Sequence, residues 1–267
     1  MTYVLPVRKG GLGNQLFQVA AALVYADETE REILMPLEQP QIHNTGIDYR
    51  ESVFKEFPTR IDRVIDGTAI EQLVSFGFNL YPGEPGFEPW SVDKSITGNL
   101  VLHGYFQYYP PIGKHEEKIR AIFLKGLGTP KPRDDWVGLH VRRGDFLKPP
   151  HSDVHYVQTE AYYRKAIGVF KDKNVVFKIF SDDLEWCKGQ SCFQELDKKE
   201  FIDEPNEVKA LAAMTVCGGG FICANSTFSW WGAFLGAYQS RSPICVPKEW
   251  MRGFDTSELF PLEWIRI

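Results

Sequence analysis

No stretch of this 267-residue sequence runs to about 18 uninterrupted apolar residues, the length a membrane-spanning helix needs. The segment Met1 to Val7 passes at once into charge and glycine, which is too short for the apolar region of a signal peptide or for an anchor. A soluble, cytoplasmic chain is therefore expected. Long basic runs are missing too. The formal net charge is -5 and the isoelectric point lies near 5.7, so nucleic acid is not an expected partner. Cysteine is scarce: Cys187, Cys192, Cys217, Cys223 and Cys245 make an odd number without the CxxC pairs of a zinc site. Three of them sit in apolar runs, which reads as buried, reduced thiols, with a Cys187 to Cys192 bridge left open.

What is present is a folded, globular composition. Hydrophobic residues make up 43% of the chain, enough for a core in one large domain or two compact ones. Strand-length apolar runs alternate with amphipathic helix-length segments, the pattern of parallel sheets with crossover helices, so the class is α/β. The first half predicts a strand over 3–7, a glycine turn over 10–13, a helix over 14–26, a second strand over 32–36, an extended segment over 98–105 and a helix over 114–124. Residues 40–98 show too weak a periodicity to assign. The second half predicts strands over 137–141, 175–180, 201–202, 221–224 and 243–246, with helices over 162–170 and 207–217. Between the halves, Gly126-Leu127-Gly128-Thr129-Pro130-Lys131-Pro132-Arg133 reads as a linker, which divides the chain into domains 1–129 and 130–267.

The residues with chemical potential follow strand-like runs. His140-Val141-Arg142-Arg143-Gly144-Asp145 places two guanidiniums where a buried strand meets a loop, and paired planar forks can clamp a diphosphate. The plain alternative is a surface pair of Arg143 with Asp145. Ser181-Asp182-Asp183 puts two carboxylates at the next such edge, able to accept from ribose hydroxyls or guanine donors, or simply to cap the following helix. No ligand spacing among the acidic residues marks a metal site, and two arginines already neutralise a diphosphate. Asn225-Ser226-Thr227-Phe228-Ser229 opens a helix after a strand, which suits an anion, or supplies ordinary helix caps above a tryptophan core. Near the start, Gly11-Leu12-Gly13-Asn14-Gln15 offers helix-terminal amides and side-chain amides to a sugar or phosphate. Its glycine pattern partly matches a dinucleotide fingerprint, but Leu16 occupies the third glycine position.

Three segments, GGLGNQLFQVA, HVRRGDF and NSTFSWWGAFL, together resemble the signature stretches of family 11 glycosyltransferases, the α-1,2-fucosyltransferases. His103-Gly104-Tyr105-Phe106-Gln107 and Phe180-Ser181-Asp182-Asp183 are similar to further stretches of that family. The resemblance implies two facing Rossmann-like domains of GT-B type, with the acceptor on the first and the nucleotide sugar on the second. It implies GDP-fucose as donor, a carbohydrate acceptor, inversion at the anomeric carbon and no metal or other cofactor. Arg142 and Arg143 would hold the diphosphate with Ser226 and Thr227 assisting. Asn225 and Ser229 belong to the same donor cluster, and His140 with Asp182 or Asp183 would face the guanosine. Gly11, Gly13, Asn14 and Gln15 would lie on the fucose and acceptor side. Arg142 is the expected catalytic residue, and Asp145 is either the general base or a buttress for the arginines. Members of that family often carry an acidic residue in the helix that here contains Ala210, and Glu207 one turn earlier can supply the carboxylate. Two rivals remain at this stage: a GDP-sugar-binding homologue without catalysis, and a nicotinamide-dependent oxidoreductase built on the Gly11 loop.

Overall fold

A computed structural model of the chain describes residues 1–36, 47, 49–57, 59–61, 67–83, 85–237 and 241–267. The backbone divides into two compact α/β units, one of residues 1–127 with 257–261, the other of 128–256 with 262–267. The sequence does not foreshadow the return of 257–261 to the first unit. That return is fastened by short-range chemistry, a 3-10 turn at Ser257–Leu259 and a hydrogen bond from Tyr108 to Glu258.

The first unit is built on β1 (Tyr3–Pro6), β2 (Glu32–Pro36), β3 (Thr59–Ile61), β4 (Asn79–Leu80) and β5 (Leu100–Leu102), in the order β3-β2-β1-β5-β4, every pair parallel. Val4, Leu5 and Leu100 to Leu102 are buried, which accounts for the uninterrupted apolar runs. Helix α1 (Leu12–Thr29) buries almost every residue from Leu12 to Tyr25 and stops at Glu30, whose left-handed backbone (φ 55°) lets its N–H close on Ala26. Among the described residues, the remaining α-helices of this unit are α2 (Gly67–Ser75), α3 (Tyr109–Lys114) and α4 (Glu116–Leu127). Strands β3 and β4 and helix α2 fall in the stretch the sequence leaves unassigned.

Two expectations change here. The helix predicted over 114–124 is α4, shifted to Glu116–Leu127, and a separate short helix, α3, precedes it, started by Pro110 and Pro111 and ended at His115. The His115 ring bonds Asp27 at 2.8 Å and Glu28 at 3.1 Å on α1, outside any helical register. Gly126, read as part of a loose linker, lies inside α4.

The second unit holds β6 (Trp136–Val141), β7 (Val176–Ser181), β8 (Lys199–Ile202), β9 (Gly220–Ile222), β10 (Ile244–Val246) and β11 (Ile265–Arg266). Their order is β11-β10-β9-β6-β7-β8, again all parallel. Helices α5 (His151–Val154), α6 (Glu160–Gly168), α7 (Leu184–Gly189), α8 (Ser191–Gln194), α9 (Glu207–Thr215) and α10 (Thr227–Leu235) complete it. Helix α10 is buried nearly all round, with Trp230 and Trp231 edge to face at 4.9 Å and Trp230 also against Trp264. All five cysteines are buried free thiols, so the Cys187 to Cys192 bridge is not formed. Burial pushes the Cys187 thiol up to about 11 and Cys192 up to about 12, which makes both poor nucleophiles.

Candidate functional site

In a parallel sheet every carboxyl end points the same way, and strand order decides which loops meet there. Because β9, β6 and β7 are neighbours, segments about forty residues apart in sequence converge on one edge: Arg142 and Arg143 after β6, Asp182 and Asp183 after β7, Asn225 to Thr227 after β9. The pairing of Val141 with Ser181 sets the arginines level with the aspartates.

The two guanidiniums are held by carboxylates. Arg142 donates to Asp145 Oδ1 at 2.5 Å through one terminal nitrogen and pairs with Asp182 Oδ2 at 2.9 Å through the other. Its Cζ lies 5.2 Å from the centroid of the Phe146 ring. Arg143 donates from its backbone N–H to Asp182 Oδ1 at 2.9 Å and from Nε to Asp183 Oδ2 at 3.0 Å, and its guanidinium lies 4.1 Å from the centroid of Trp186. Asp183 has a second duty, accepting from Trp186 N at 3.1 Å as the cap of α7. Both aspartates are thus engaged with the arginines; Asp183 also caps a helix as the plain alternative had it, whereas the surface pair of Arg143 with Asp145 is not formed, Asp145 pairing with Arg142 and Arg143 with Asp183. Gly144 has a physical requirement: a Cβ there would stand 2.5 Å from Asp182 Oδ2, so any larger residue would displace the carboxylate that orients Arg142. The side chains of Arg142 and Arg143 remain 29% and 17% exposed, which leaves donors of each fork open to an incoming anion.

Beyond Asp145 the loop carries its own stack. The Phe146 ring lies on His155 at 4.0 Å with 6° between planes, and His151 Nε2 stands 4.0 Å from Asp145 Oδ2. The Pro149–Pro150 peptide in this loop is cis.

His140 is 6% exposed within β6, against Phe228, and its Nδ1 has no hydrogen-bond partner. Burial, reinforced by the Arg142 charge, pushes the imidazole down to about 3, so it is neutral at physiological pH. An unfolded histidine titrates near 6.5, so on acidification the unfolded chain takes up this proton first. The resulting stability is complete above about pH 6.5 and is lost as pH falls toward 3, by about 1.4 kcal/mol per pH unit. Wild type is therefore expected to lose stability between pH 6.5 and 4 more steeply than His140→Gln in chemical denaturation. Parallel pH dependences would refute a buried, neutral His140.

At the end of β9 the cluster divides. Asn225 is buried, with Nδ2 donating to the carbonyls of Glu249 (2.6 Å) and Trp250 (2.7 Å) and Oδ1 accepting from Gln158 (2.7 Å). Ser229 is fully buried and accepts from Ala224 N at 3.1 Å. Both brace the turn from within. Ser226 stands at the N-cap of α10 but its hydroxyl makes no capping bond, and Thr227 begins the helix, so these two residues stand at the positive end of the helix dipole. Ala210 is buried on α9, and Glu207 begins that helix.

In the first unit, Gln15 is buried and folds its Nε2 back to Gly10 O at 2.8 Å, while Asn14 Oδ1 accepts from Gln107 Nε2 at 3.1 Å. Gly11 is the N-cap of α1 and Gly13 is buried in its first turn. Lys9, to which sequence reasoning gave no role, and His103, named there only within a family-like stretch, join this edge: Lys9 Nζ donates to His103 Nε2 at 3.3 Å. The signal available was position, since His103 follows β5 directly and Lys9 lies three residues past the end of β1.

Among the described residues no group of three or more His, Cys, Asp or Glu side chains gathers as a metal site, and no helix is long and apolar enough to cross a membrane.

Two Rossmann-like units with parallel sheets, one presenting paired guanidiniums and a helix N-terminus at its strand ends, have the architecture of the GT-B class of glycosyltransferases. The sequence model of Glycosyl transferase family 11 matches residues 103–267, and the chain belongs to that family. An alpha-1,2-colitosyltransferase of Escherichia coli is 30% identical across the whole of this chain and 99% of its own length. Galactoside alpha-(1,2)-fucosyltransferase 1 of Alouatta belzebul is 31% identical over 65% of this chain and 48% of its own. In fold, the chain matches the E. coli heptosyltransferase WaaC with ADP at a TM-score of 0.51 and 10% identity, over 99% of this chain and 92% of that one. Membership of this family removes the oxidoreductase alternative.

Proposed function

We propose that this enzyme transfers L-fucose from GDP-fucose to a galactose hydroxyl of a glycan, forming an α-1,2 linkage with inversion and without a metal ion. The observation that carries the reading is the meeting of Arg142 and Arg143 with Ser226 and Thr227 at one strand edge of the second unit. The relatives support the linkage: both names print α-1,2, while they divide between colitose and fucose.

In this reaction the acceptor oxygen bonds to C1 of the sugar as the bond from C1 to the β-phosphate oxygen breaks. GDP leaves with that electron pair, and the acceptor proton passes to a base or to water. Negative charge grows on the leaving phosphate, where Arg142 and Arg143 would neutralise it with the hydroxyls of Ser226 and Thr227. Two fixed cations supply what a divalent ion would otherwise supply. We assign Asp182 and Asp183 to holding the guanidiniums and Asp145 to orienting Arg142, since each is engaged in those bonds. His140, neutral, buried and with an unpartnered Nδ1, is the residue we assign to the guanosine side. Asn14 would serve the acceptor side. Buried reduced thiols favour a cytoplasmic setting.

The test is a thermal-shift comparison of GDP, UDP, NAD and NADP, followed by transfer from GDP-fucose and from GDP-colitose to a galactoside panel with and without EDTA. GDP alone is expected to stabilise, and transfer to survive EDTA. Loss of transfer in EDTA, restored by magnesium or manganese, would overturn the metal-free reading. Stabilisation by GDP with neither transfer nor donor hydrolysis would identify a binding protein instead.

A further inference from the structure

We infer that Tyr105, flanked by Lys9 and His103, is a stacking platform for a pyranose ring of the acceptor. This rests on the transferase reading for its biological sense but on the first unit alone for its geometry. Strands β1 and β5 are parallel neighbours with Pro6 opposite Leu102, and Val7 N donates to Leu102 O at 2.8 Å, so the residues just beyond both strands share one edge.

The turn after β5 is tightly specified. Gly104 adopts φ 153°, and a Cβ there would meet the backbone of Pro85 at 2.9 Å. Tyr105 N and Phe106 N both donate to Pro85 O, at 2.7 and 2.8 Å, and Gln107 N donates to Gly86 O at 2.7 Å. Phe106 takes a left-handed backbone, φ 55°, which is costly for an aromatic residue. In return it is fully buried between Trp90 (5.5 Å) and Tyr81 (5.7 Å). Burying Phe106 in this way turns its neighbour outward, and Tyr105 is 37% exposed although most aromatics around it are core.

One face of the ring carries a cation. Lys9 Nζ lies 4.8 Å from the Tyr105 centroid and 3.3 Å from His103 Nε2. Its backbone is pinned on both sides, Lys9 N donating to Gln18 Oε1 at 2.8 Å and Lys9 O accepting from Gln18 Nε2 at 3.1 Å. A ring 37% exposed, with an ammonium over one face that in turn contacts an imidazole, suits a neutral sugar stacked on the opposite face. The C–H face of the pyranose lies on the ring. An anion fits less well, because the electron-rich ring face repels it and the ammonium is already engaged.

Saturation-transfer NMR with methyl β-D-galactopyranoside, without nucleotide, tests the platform directly. Wild type, Tyr105→Phe and Tyr105→Trp are expected to show transfer to H-3, H-4 and H-5 of the sugar, and Tyr105→Ala to lose it. In turnover, Tyr105→Ala should raise the acceptor KM about tenfold while GDP still raises the melting temperature as in wild type. Equal sugar signals in wild type and Tyr105→Ala would overturn the proposal. So would displacement of the sugar by inorganic phosphate, which would mark an anion site, or loss of the GDP response in Tyr105→Ala, which would mark a structural role. Failure of the donor reading is separate: it shows as a wild type indifferent to GDP, and leaves the NMR result to decide the platform.

Discussion

Replacing Arg142 with alanine is expected to cut transfer at least about a hundredfold, the usual cost of removing one preorganised charged donor from a developing oxyanion. The side chain is 29% exposed and its carboxylate partners are partly solvated, so little folding stability should go with it. Circular dichroism and the thermal midpoint should therefore stay near wild type while kcat collapses. Arg142→Lys is the sharper form of the experiment. Asp145 and Asp182 bind two different terminal nitrogens of one planar fork, and a lysine ammonium can satisfy one carboxylate or the phosphate, not all three at once. A lysine variant with ordinary turnover would mean that charge alone suffices and that the fork geometry is incidental.

The parts of this site that were legible in sequence are those that sit immediately after a strand. Arg142 and Arg143 follow the run Trp136 to Val141, Asp182 and Asp183 follow Val176 to Ser181, and Ser226 precedes a helix that follows a strand. The alternation of apolar runs gave the parallel α/β class for the same reason. Side-chain partners were not legible, because they depend on register across elements. The bonds from Arg143 to Asp182 and Asp183 span 39 and 40 residues and exist only because Val141 lies opposite Ser181. Asn225 looked available for a ligand until the chain brought the carbonyls of Glu249 and Trp250 to its amide. The same holds for Lys9 and His103, 94 residues apart. Strand β11 was invisible because a two-residue edge strand carries no periodicity of its own.

The second large effect falls on Asp182, which touches no reacting atom in the proposed reaction and acts through both arginines. Its two oxygens do different work: Oδ1 accepts the backbone N–H of Arg143, and Oδ2 pairs with the Arg142 guanidinium. Asp182→Asn keeps an acceptor for the N–H but replaces the negative charge beside Arg142 with an amide. Removing such a supporting partner commonly costs about ten- to a hundredfold in activity, and kcat is the parameter expected to fall, since the fork must be aimed when charge develops on the phosphate. Asp182→Ala also removes the acceptor from the Arg143 N–H and should lose more, in activity and in stability. Gly144→Ala reaches the same oxygen from the other side, because its Cβ would press on Oδ2, and it should reproduce the kcat loss while leaving Asp182 chemically intact. A purely structural Asp182 would show loss of stability in both variants with kcat unchanged in the folded fraction. A positioning Asp182 separates them: the asparagine variant melts near wild type yet turns over slowly.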